Sequence, residues 1–91
     1  MADADLDLAV KAIVASRVIN TGQVCNCAER VYVQDSIKDA FLNRLTEAFK
    51  QVTFGNPAEK DALDMGPLID EVSLQGVQEK VDRAVSQGQP W

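Results

Sequence analysis

Two cysteines and no histidine set the chemistry open to this 91-residue chain. Both lie in Asn20-Thr21-Gly22-Gln23-Val24-Cys25-Asn26-Cys27-Ala28-Glu29-Arg30, a glycine-containing turn between an apolar helical stretch and a short apolar run. A thiol on such a turn is reachable while the packed elements hold its position, which suits a nucleophile. A Cys–His catalytic pair cannot form without histidine. Structural zinc needs about four ligands, and Cys25-Asn26-Cys27 supplies two with no evident partners. A Cys25–Cys27 disulfide would close a very small, strained ring, so it is not expected as a constitutive state.

Each of these residues also has a plainer reading. From residue type and spacing alone Cys25 reads more readily as a small buried apolar side chain, the common fate of a free cysteine. Asn26 is either a turn residue or a substrate contact, and Cys27 reads as core filler. Glu29 invites a general-base role but fits a surface or ion-paired carboxylate better. Asp3, Asp5 and Asp7 mark a helix start rather than a metal site, because nothing else supplies an oxygen-rich shell. Arg30 is the only nearby cation, and no base adjoins Cys25.

The elements that must position the turn follow from periodicity. From Asp5 to about Asn20, apolar residues fall at Leu6, Ala9, Val10, Ile13 and Val14, then Val18 and Ile19, a helical spacing. The early aspartates and later Lys11 and Arg17 suit the helix dipole, and Gly22 provides a stop. The far end is apolar nearly all round, which predicts burial on several sides. Arg30-Val31-Tyr32-Val33-Gln34 reads as a strand covered on both faces, the only convincing strand here. Ser36 and Asp39 form an S-x-x-D capping signature for a second helix, with Ile37, Phe41, Leu45, Ala48 and Val52 on one face. Phe54-Gly55-Asn56-Pro57 ends it. A connection over 58–69 turns at Met65-Gly66-Pro67. A third helix runs from about Asp70 to Gln87 with Leu74, Val77, Val81, Ala84 and Val85 on a buried side, capped by Gly88. Gln89-Pro90-Trp91 reads as a tail. The order helix, turn, strand, helix, loop, helix predicts a slice of an α/β layer fold.

Composition narrows the function classes. The chain is 46% hydrophobic and 25% charged, ordinary globular values that argue against disorder. A net charge of −5 without a basic patch predicts no nucleic-acid partner. No apolar run approaches the roughly 20 residues that cross a bilayer, so no membrane association is expected. The acidic opening Met1-Ala2-Asp3-Ala4-Asp5 is the opposite of a signal peptide's basic start and predicts a cytoplasmic setting with reduced thiols.

Gly22-Gln23-Val24-Cys25 resembles the G-Q-x-C core of the NAD(P)-dependent aldehyde dehydrogenases. Asp3-Ala4-Asp5-Leu6 resembles the entry to the helix before that core. Phe54-Gly55-Asn56-Pro57 is similar to the family's G-[ND]-P turn, and Met65-Gly66-Pro67-Leu68 to its following loop. The resemblance covers nearly all of residues 2–88, and the Cys-Asn-Cys-Ala-Glu-Arg-Val-Tyr-Val run resembles the bacterial lactaldehyde/glycolaldehyde dehydrogenase subfamily.

The resemblance implies that Cys25 is the nucleophile, attacking an aldehyde to give a thiohemiacetal. Hydride then passes to NAD(P)+, and water hydrolyses the thioester to the acid. It implies that the Cys25 backbone N–H serves the oxyanion hole and that Asn26 lines the substrate pocket, facing a hydroxy-aldehyde's polar end. The family's general-base glutamate, oxyanion-hole asparagine and dinucleotide-binding βαβ region lie outside residues 1–91, and no G-x-G-x-x-G occurs. The expectation is a catalytic-domain fragment, with cofactor-binding and oligomerisation regions absent. NAD or NADP would serve full-length relatives, which are homo-oligomers, and neither is expected to bind this chain alone. Two alternatives remain open: an interaction module that self-associates through its unpaired strand, and a small thiol redox unit using Cys25 and Cys27.

Overall fold

The computed structural model describes residues 1–61 and 63–89, and among them it forms three α-helices: α1 over Leu6–Val18, α2 over Lys38–Lys50 and α3 over Glu71–Ser86. α1 begins where Asp5, itself extended, accepts the Leu8 N–H on its carboxylate at 3.0 Å. That bond satisfies one of the orphan donors of the first turn. Asp7 in the first turn and Arg17 in the last complement the dipole, as expected. The helix stops two residues before the periodicity does. Ile19 turns to ψ 127, and Asn20, Thr21 and Gly22 then adopt left-handed backbone with φ of 47, 59 and 79.

α2 departs from expectation at both ends. No Ser36 cap forms; Asp35–Ile37 make a 3₁₀ turn, and Ile37 precedes the helix without a side-chain cap. The N–H groups of Ile37 and Lys38 donate instead to the Gln34 and Asp35 carbonyls, so the tighter turn satisfies donors a cap would have served. At the far end the helix closes at Lys50, before the Phe54-Gly55-Asn56-Pro57 turn. Thr53 is drawn off by Asp64, whose carboxylate accepts the Thr53 N–H at 2.8 Å and hydroxyl at 2.9 Å. The Met65 N–H donates to the Thr53 carbonyl and the Gly55 N–H to that of Met65, a single parallel bridge that closes the excursion between them.

The strand predicted over 30–34 is not formed, and the described residues contain no strand ladder. A strand exists only through a neighbour's backbone, and no described residue provides one here. The segment lies instead across one end of the helix pair, where Val31, Tyr32 and Val33 border a cavity of about 110 Å³ with Leu6, Ile13 and Phe41. Tyr32 is 88% exposed. At this element the α/β layer expectation is not met: residues 30–34 are an irregular segment between helices rather than a strand.

α1 packs on α2, and among the described residues the buried ones are Val10, Cys27 and Phe41. Phe41, at 3% exposed, is the best-covered side chain, and burying it contributes about 2–3 kcal/mol. Burial of the far end of α1 on several sides is not found: Ala15 and Ile19 are exposed, and Ile13, Val14 and Val18 are only partly covered. The buried face expected for α3 is open as well. Leu74, Val77 and Val85 are exposed, because α3 packs against no other helix among the described residues. The radius of gyration of 15.0 Å exceeds the about 12 Å of a compact chain this long. The architecture is a two-helix core with an outlying third helix.

Candidate functional site

Cys25 and Asn26 occupy the two central positions of a tight turn, closed by the Cys27 N–H donating to the Val24 carbonyl at 3.2 Å. Both are exposed, whereas Cys27 is 8% exposed and packs inward. The two thiols are therefore unequal: one faces solvent and the other belongs to the core. At the first central position the backbone N–H points away from the turn's own hydrogen bond, and that of Cys25 donates to no described backbone carbonyl. An exposed sulfur beside an uncommitted N–H is an arrangement that can hold a carbonyl carbon and its oxygen at once.

Three hydrogen bonds tie this turn to distant parts of the chain. The Ser16 hydroxyl on α1 accepts the Ala28 N–H at 3.1 Å. The Thr21 hydroxyl donates to the Gly66 carbonyl at 3.0 Å, and the Gln23 Oε1 accepts the Ile69 N–H at 2.9 Å. Gln23 also donates through Nε2 to the Asn20 carbonyl at 3.0 Å. Sequence reading passed over Ser16, Thr21 and Gln23 as site residues. Two signals were available: Gln23 lies in the Gly22-Gln23-Val24-Cys25 motif, and Asn20 and Gly22 are residue types that tolerate left-handed backbone.

Glu29 and Arg30 are exposed and form no ion pair with each other. Asp7 pairs with Arg44 across α1 and α2, and Asp5 caps α1, so the early aspartates serve the helices. No group of three or more metal-ligating side chains converges among the described residues. A groove of about 720 Å³ lies along α1 and the end of α2, away from Cys25. Valines line it, with Asp7 and Asp64 against the single cation Lys11. That lining does not fit a dinucleotide, whose pyrophosphate needs converging backbone N–H groups or cations. No helix among the described residues is long and apolar enough to cross a membrane.

The chain belongs to the aldehyde dehydrogenase family, whose model matches residues 1–90. It is 66% identical over 88 residues to lactaldehyde dehydrogenase of Escherichia coli (strain K12), covering 97% of this chain and 18% of that protein. Glutarate-semialdehyde dehydrogenase of Pseudomonas putida is 45% identical over 86 residues, covering 94% of this chain and 18% of that protein. The crystal structure of lactaldehyde dehydrogenase from Escherichia coli superposes with a TM-score of 0.89 at 66% identity, covering 94% of this chain and 18% of that one. The helical arrangement is thus that of the corresponding stretch of a lactaldehyde dehydrogenase. The chain spans 18% of the length of these relatives.

Proposed function

We propose that this chain is the nucleophile-bearing segment of the catalytic domain of an NAD(P)-dependent aldehyde dehydrogenase acting on a small hydroxy-aldehyde. One observation carries the reading. In a member of this family, the first cysteine after Gly22-Gln23-Val24 stands exposed at the tip of an anchored turn, and its neighbour Cys27 does not. The 66% identity to a lactaldehyde dehydrogenase supports the substrate class.

The chemistry assigned to these residues is capture. The Cys25 thiolate adds to the aldehyde carbon, a C–S bond forms, the carbonyl π pair moves to oxygen, and that oxygen takes up a proton to give the thiohemiacetal. The free Cys25 N–H supports the oxygen while charge develops on it, a role in which one donor matters by about two to three orders of magnitude in rate. Asn26, adjacent and exposed, donates its side-chain amide to the aldehyde's hydroxyl. Nicotinamide would accept hydride in a full-length enzyme, and the described residues supply no place for it. On this reading the 91-residue chain alone forms no NAD(P)H.

Competitive alkylation tests this. Iodoacetamide should label Cys25 much faster than Cys27, glycolaldehyde or lactaldehyde should protect Cys25, and Cys25→Ser should remove the fast site. No NAD(P)H should form under the same conditions. Equal labelling of the two thiols, or no protection by aldehyde, would sink the nucleophile assignment; NADH production would sink the inactivity.

A second reading rests on Val31 and Tyr32, which are 42% and 88% exposed on a segment without strand partners. In it the chain associates with copies of itself through residues 30–34.

A further inference from the structure

We propose that Thr21 and Gln23 are positioning residues that staple the cysteine turn to the Gly66–Ile69 loop and so set where the Cys25 sulfur stands. The proposal rests on the nucleophile reading of Cys25 and adds the device that holds it. Thr21 has φ 59, a conformation β-branched residues rarely adopt. Such a conformation persists only where surrounding contacts determine it. Here the contact is the partly buried hydrogen bond from the Thr21 hydroxyl to the Gly66 carbonyl, 45 positions along the chain.

Gln23 works from the other side of Gly22. Its amide uses both ends: Nε2 donates back to Asn20 and Oε1 accepts the Ile69 N–H, 46 positions away. The left-handed turn and the distant loop are thus joined at two points, flanking Pro67 and Leu68. Val24 separates Gln23 from Cys25, so any slack at the staple is passed directly to the sulfur. The same loop leads into Asp70, the cap of α3, and α3 has no helix partner among the described residues. The staple therefore also registers the start of α3 against the cysteine turn.

Amide exchange and competitive alkylation on the whole 91-residue chain test the staple separately from the thiol chemistry. Gln23→Leu should speed exchange of the Ile69 amide about five- to tenfold, the worth of one hydrogen bond. It should also weaken aldehyde protection of Cys25 while the α1 amides exchange as in wild type. Gln23→Glu keeps an acceptor for Ile69 and should retain wild-type exchange there. Thr21→Val should resemble Gln23→Leu at Cys25, and Thr21→Ser, which keeps the hydroxyl, should restore protection. Unchanged Ile69 exchange in Gln23→Leu, or faster exchange with undiminished Cys25 protection, overturns the positioning role. Absence of protection in the wild type instead overturns the nucleophile reading, and Ile69 exchange still reports on the staple.

Discussion

Gly22 stands at φ +79, and a Cβ built there meets only ordinary contacts, with Arg17 atoms at 3.5 Å. The cost of Gly22→Ala is therefore conformational, about 1–2 kcal/mol for left-handed backbone. A urea titration should show the midpoint fall with the slope unchanged; an unshifted midpoint would mean the turn relaxes freely. The sequence marked Gly22 as a helix stop, and that is one of the jobs it does. It did not mark Thr21, whose left-handed backbone accompanies a hydrogen bond to the Gly66 carbonyl 45 positions along the chain. The exposure of Cys25 against the burial of Cys27 followed from turn placement, whereas the anchoring of the turn did not.

Among the elements, α3 shows how local rules succeed while packing rules wait on partners. Its start and stop were legible. The Asp70 carboxylate accepts the Ser73 N–H at 2.7 Å, and Gly88, at φ +79, lets the Gln89 and Gly88 N–H groups return to the Ala84 and Val85 carbonyls. The hydrogen bonds from Ser73 hold the Asp70 carboxyl below the ordinary aspartate range. A depressed folded-state value means the cap's contribution is intact above the unfolded value and is lost as pH falls through the lower folded one. The Ser73 amide shift, followed by NMR, should titrate below the about pH 4 of a free aspartate. A midpoint at the ordinary value would show that the cap does not form. The capping signature at Ser36 has similar chemistry yet goes unused, because the 3₁₀ turn over Asp35–Ile37 already satisfies the donors.

For the molecule as a whole, surface area is the informative quantity. The chain exposes 7429 Å², where a compact monomer of its mass exposes about 5,200 Å². The excess, about 2,200 Å² on one chain, is more than double the about 800 Å² that each partner of a standard interface removes from water. Apolar side chains on α1, α3 and residues 30–34 contribute to it. Sedimentation velocity should reveal concentration-dependent association, reduced by Tyr32→Lys, which places a charge on the unpaired segment. A single monomeric species at all concentrations would remove the self-association reading.

Residue order alone determined the three helices, the stop at Gly88, the family, and the turn on which Cys25 sits. These depend on dihedral preferences and hydrogen bonds within a few residues, which neighbours in sequence decide. The tertiary structure decided that residues 30–34 stay unpaired, that the apolar face of α3 stays open, and that Thr21 and Gln23 reach Gly66 and Ile69. Strand pairing, face burial and long-range stapling each need a second segment brought into place, and no local pattern records whether that segment arrives.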